Sequence, residues 1–82
     1  MANVVFSKHA RDVMRERHIP EEWVLRAIAT PDRTDTPADG IIHYIKAIPE
    51  HGGRFLRLVV NLGVVPQRVV TAFFDRRLGR QP

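Results

Sequence analysis

Phe6-Ser7-Lys8-His9-Ala10-Arg11-Asp12-Val13-Met14-Arg15-Glu16-Arg17-His18-Ile19 is the stretch on which the fold turns. At about 100° per residue, Ala10, Val13 and Met14 fall on one side of a helix, and Arg17 comes round near the middle of that side. Ser7 carries the short hydroxyl side chain that caps a helix N-terminus, so the helix is expected to run on to about Arg17. Lys8, Asp12, Arg15 and Glu16 face away, at spacings where opposite charges offset part of the cationic field. His18 stands where the helix stops. That position favours a left-handed backbone, usually supplied by Gly, and His is among the other residues enriched there.

Upstream, residues 3–6 suit a short strand. Downstream, a second helix is expected from Pro20, with Glu21 and Glu22 complementing its dipole, to near Thr30, before Pro31. Trp23, Val24, Ala27 and Ile28 form its apolar face, and the short joint gives a two-helix hairpin. The polar run from Pro31 to Gly40 reads as a loop, with room for an edge strand around Arg33 to Thr36. Beyond it the period becomes that of strands: Ile41 to Ile48, Arg54 to Leu62 and Gln67 to Asp75, read as three consecutive antiparallel strands. In the middle one, Leu56, Leu58, Val60 and Leu62 face the helices, while Phe55, Arg57, Val59 and Asn61 face a partly open side. The basic tail from Arg76 to Pro82 reads as frayed or only partly docked.

Composition bounds what such a chain can do. Its 82 residues allow one domain, spanning 1–82, of the size that buries only roughly 60% of its unfolded surface. Apolar residues at 44% and charged ones at 27% fit a folded globular protein. The absence of cysteine excludes thiol chemistry and suits a reducing compartment. No apolar run reaches secretory or membrane-spanning length, so a cytoplasmic location and no membrane partner are expected. Thirteen Lys and Arg against nine acids give a formal charge of +4, and all but Lys8 and Lys46 of those cations are Arg. That balance favours an anionic partner such as a phosphate backbone, although a GC-rich genome also enriches Arg.

His9 leads the candidates for acid or base work, because imidazole as a side-chain type titrates near neutral pH and this one opens a basic helix beside Lys8 and Arg11. A half-buried histidine bonded to a backbone carbonyl would look the same in sequence. His18, His43 and His51 are scattered, without the spacing or carboxylate company of a zinc site, so no metal and no cofactor are expected. Arg54 and Arg57 lie three apart on one strand and so point to opposite faces. Arg57, off the apolar set, is the preferred phosphate clamp. Thr71 is a lone hydroxyl in a strongly apolar strand, either a positioning group or an ordinary β-former. Arg17 is expected to lay its stem on the core or to pair with a buried acceptor. Lys8, Arg11, Arg54, Arg76 and Arg77 are the candidate nucleic-acid contacts.

The two ends together carry a pattern: Phe-Ser-Lys-His-Ala-x-x-x-Met-x-x-Arg-x-Ile, a second helix ending in Pro-Asp, then Gly-Arg-x-Leu-Arg-x-Val-Val and Val-Val-Thr-Ala-Phe. It resembles a family of small domains related to the RelE and ParE toxins, grouped with the barnase, EndoU and colicin ribonuclease folds. The resemblance covers nearly the whole chain. It implies an α+β fold in which an N-terminal two-helix hairpin packs on one face of a three- to four-stranded antiparallel sheet. It implies further a toxin-like, RNA-directed protein of a toxin–antitoxin or related system, a metal-independent endoribonuclease using the substrate's own 2′-hydroxyl. On that reading His9 is the acid or base, Arg57 the clamp and Thr71 a positioning group, and an acidic antitoxin-like protein is a partner. Two positions depart from the pattern: Val13 stands where the family has Arg, removing a cation, and His18 stands where it has Gly. A non-catalytic nucleic-acid-binding or protein-interaction module of the same fold is the alternative.

Overall fold

A computed structural model describes residues 4–78 and has an α+β architecture. Strand β1 (Val4–Phe6) leads into helix α1 (Lys8–Glu16), followed by α2 (Glu21–Ala29), β2 (Arg33–Ala38), β3 (Ile41–Ile48), β4 (Arg54–Asn61) and β5 (Gln67–Phe74). Short 3-10 helices, Pro49–His51 and Arg76–Leu78, follow β3 and β5. Asn3 of the expected first strand and residues 79–82 of the expected tail lie outside the described residues.

The sheet has five strands in the order β1-β5-β4-β3-β2 and is mixed, which corrects the expected three to four antiparallel strands. The fifth strand and the mixed character come from the edges. The β1 strand is parallel to β5, with Val4 opposite Gln67 and Phe6 opposite Val69. Three residues can add to an edge in either direction, and their spacing alone does not say which. At the other edge, β2 pairs antiparallel with β3 through a register irregularity between Asp35 and Ala38, and every one of its residues is exposed. Pro37, which lacks an N–H, is tolerated there because the edge needs fewer ladder bonds.

Ser7 ties the first elements together. Its hydroxyl accepts from the Ala10 amide at 3.0 Å, capping α1, and donates to the Val70 carbonyl at 3.1 Å. Val70 is the extra residue where the β4–β5 register jumps from Val59 opposite Thr71 to Val60 opposite Val69. A bulge leaves ladder groups unpaired, and the serine supplies a partner for this one. At its other end α1 stops at His18, whose φ of 55° is left-handed, and the Ile19 amide closes back on the Met14 carbonyl at 2.8 Å.

The core lies between the sheet and the helices. Ala10, Met14, Ile19, Val24 and Ala27 bury against Ile48, Leu56, Leu58, Val60, Val69 and Ala72. Leu56, Leu58 and Val60 face the helices as their alternation requires, whereas Leu62 is 40% exposed because β4 ends at Asn61. The helices do not pack mainly on each other: α1 lies on β5 and α2 on β3 and β4, so two separately seated helices replace the expected hairpin. The opposite sheet face is partly open, with Phe55, Val59, Asn61, Thr71 and Phe73 half-buried, and is covered in part. Leu78 folds back over it with Arg33, Ile45 and Phe55 around a 280 Å³ cavity, and Ile45 is only 1% exposed.

Candidate nucleic-acid interface

Five segments converge where α1 ends. Arg17, His51, Arg54, Phe73, Phe74 and Arg76 line a cleft of 440 Å³. Arg17 is the last residue of the α1 turn, and its stem crosses toward β5 so that Nη1 donates to the Ala72 carbonyl at 2.8 Å. An acceptor of this kind is one of the two outcomes expected for an arginine on the apolar side of the helix. Arg54 opens β4 and Arg76 opens the final 3-10 helix.

His51 reaches the cleft through a tight turn. Gly52 and Gly53 both take left-handed φ, 69° and 74°, and the Gly53 amide donates to the Ile48 carbonyl at 3.0 Å. Just before it, Glu50 is gripped by Arg26 of α2, whose Nη1 and Nη2 donate to Oε1 and Oε2 at 2.9 and 2.7 Å. That paired geometry holds the turn against α2 and drives the Glu50 carboxyl down to about 2. Held there, the His51 ring stacks on Phe74 with centroids 4.2 Å apart and planes 21° from parallel. Trp23 closes the group, 5.9 Å from His51 and 6.2 Å from Phe74.

No carboxylate lines the cleft, and among the described residues Arg17, Arg54 and Arg76 form no ion pair. Such guanidinium groups hold donors ready for phosphate or carboxylate oxygens, and an aromatic wall beside them offers a stacking surface.

The residues singled out in the sequence divide differently. Arg57 and Thr71 share the face away from the helices, where Arg57 is opposite Phe73 and Thr71 opposite Val59. His9 is exposed on the helix layer, on the other side of the sheet, so His9, Arg57 and Thr71 do not meet. Strand alternation causes the separation: α1 packs on the Ala72 face of β5, and Thr71 must point the other way.

Nor is Arg57 a free clamp. It is 7% exposed; Nε donates to Asp75 Oδ2 at 2.8 Å, Nη1 donates to His43 Nδ1 at 2.9 Å, and Asp35 lies 3.7 Å away. Asp75, 4% exposed, also accepts from the Arg77 backbone and guanidinium, and these bonds, the Arg77 side chain's first, hold its carboxyl far below the usual range. Arg77 is thereby committed to Asp75, while its neighbour Arg76 turns into the cleft. Lys8 and Arg11 sit at the far end of α1, roughly 13 Å along the axis from Arg17 for Lys8, and Arg11 stacks over the Phe6 ring at 5.2 Å. Of the expected contacts, Arg54 and Arg76 come together.

His51 was the residue that sequence reasoning passed over. The available signal was its place three residues before Arg54 in a Pro- and Gly-bounded turn, where a short rigid loop fixes a side chain near a strand cation. No cluster of three or more His, Cys, Asp or Glu able to hold a metal occurs among the described residues, and none of their helices is long and apolar enough to cross a membrane.

A family model described as a domain of unknown function (DUF4258) matches residues 6–74. The chain belongs to the DUF4258 family. The DUF4258 match spans both helices, β2 to β5 and every residue lining the cleft except Arg76. No curated protein and no solved structure matches the chain.

Proposed function

We propose that this DUF4258 chain is an RNA-directed protein of the RelE-like toxin type, and that it grips a phosphodiester backbone in the cleft between Arg17, Arg54 and Arg76. The observation that carries this reading is the convergence of three arginines without carboxylate partners beside a stacked His51–Phe74 pair. Unpaired guanidinium groups clustered without acids repel one another, a cost that an arriving polyanion removes. The sequence resemblance supports the same class, and the exposed Lys8, Arg11 and Arg15 of α1 suit an acidic antitoxin-like partner. Metal-independent cleavage is a second reading, favoured by one observation: an imidazole, His51, lies among the cations. In this version His51 replaces His9 as the acid–base group.

Two measurements test the proposal. Labelled single-stranded RNA should bind the wild type, weaken as salt rises, and bind Arg54→Ala several-fold less tightly. Tightly controlled expression of wild type and His51→Ala, with growth and total RNA integrity followed, separates cleavage from binding. Absence of salt-dependent RNA binding sinks the main reading; binding with intact RNA and normal growth sinks the nuclease version alone.

A further inference from the structure

We infer that the cleft selects an unpaired nucleotide, with the backbone phosphates on Arg17, Arg54 and Arg76 and the base against the exposed His51 ring. This rests on the RNA reading above and names the form of RNA that the site takes. A duplex offers only its outer backbone, because its bases are stacked on each other, and a plain cationic surface suffices to hold it. This site is built otherwise. Its cations surround a recess of 440 Å³, and the recess is walled by rings.

The rings are organised as well as present. His51 is exposed yet fixed: Phe74 supports it at 4.2 Å in near-parallel stacking, Trp23 flanks it, and the Arg26–Glu50 pair pins the preceding residue. A side chain already held in one orientation loses little freedom when a base stacks on it. A flat, electron-rich ligand attached to a dianionic or polyanionic group satisfies both halves of the site. An acidic peptide would satisfy only the cations.

Trp23 is the chain's one tryptophan and lies against His51, so its fluorescence reports occupancy of the cleft. The test titrates the full chain with four probes: a short oligouridylate, a ribose-phosphate oligomer of equal length without bases, a blunt RNA duplex and oligoglutamate. The oligouridylate should bind at least roughly fivefold tighter than the baseless oligomer and perturb Trp23, since one stacked base is worth that much or more. His51→Ala should erase the ratio, and His51→Phe, which keeps a ring without an imidazole, should restore it. Circular dichroism on both variants confirms folding, which the exposed position of His51 favours.

Equal affinity for the oligouridylate and the baseless oligomer, with binding still lost in Arg54→Ala, overturns this inference and leaves backbone binding standing. Duplex binding as tight as that of the single strand also overturns it. No binding of any nucleic acid, or oligoglutamate binding as tightly as RNA, overturns both.

Discussion

Arg57 shows how a single residue can carry a plausible chemical signature and a different job. Its guanidinium is withdrawn from water and joins β4 to the segment after β5 through Asp75, while Nη1 donates to His43. Removing one partner of such a buried pair leaves an uncompensated charge, which costs about 3 kcal/mol at the low end of the usual range, since Arg77 still serves Asp75. Arg57→Ala should therefore lower the unfolding free energy obtained from urea denaturation by that amount while the folded fraction binds RNA as before; a lost RNA affinity with unchanged stability would restore Arg57 to the site. The neighbouring histidine gives a second expectation. Guanidinium can only donate, so His43 Nδ1 accepts and the ring is neutral, and burial first, then the Arg57 charge, lower its titration below the usual 6.5. A histidine with a depressed folded value contributes stability that is present above pH 6.5 and is lost as pH falls through that lower value. Urea midpoints compared at pH 7.5 and pH 5 should fall more for wild type than for His43→Ala. The face of Arg57 was legible from strand alternation. Its burial was not, because the residues that cover it, Asp75 and Asp35, come from segments whose return to that face no local pattern encodes.

Elements follow local rules where their signals are local. Ser7 caps α1, His18 ends it with positive φ, and Ala10, Val13 and Met14 are buried, all of which spacing and capping chemistry foretold. The edges of the sheet were harder, since the partner of β1 is far away in sequence. At the α1 terminus, a left-handed L-residue costs roughly 1–2 kcal/mol, against roughly 0.5–1 kcal/mol of extra chain entropy lost by glycine. His18→Gly should thus stabilise the protein by up to about 1.5 kcal/mol in thermal denaturation, and His18→Val should destabilise it. The turn carrying His51 depends instead on the Arg26–Glu50 pair. With Glu50 held near 2 chiefly by its bonds from Arg26, that contribution is present above pH 4.5 and lost as pH falls toward 2. Glu50→Gln should flatten the thermal stability profile across that window and weaken single-stranded RNA binding several-fold at neutral pH. Unchanged RNA affinity in this variant would show that the turn keeps its place without the pair.

At the scale of the molecule, charge is sorted and not spread. A formal +4 says little by itself, because five of the nine acids are already paired: Asp75 with Arg57 and Arg77, Asp35 with Arg57, Glu50 and Glu22 with Arg26, and Asp32 with Lys46. These pairings leave Arg17, Arg54 and Arg76 to set the field of the cleft, and the fold gathers them from a helix end, a strand start and the turn after the last strand. That gathering is why the site was only half legible: Arg54 and Arg76 carry the right chemistry in the sequence, but nothing local joins them to Arg17, His51 and Phe74. It also makes a number testable. Three phosphate contacts on a single strand release counterions with a slope of about −2 in log affinity against log salt, and Arg54→Ala should reduce it to about −1.4. Lys8→Ala and Arg11→Ala, far along α1, should leave the slope unchanged if the cleft is the binding surface. A slope that falls equally for those variants and for Arg54→Ala would move the interface from the cleft to the α1 face.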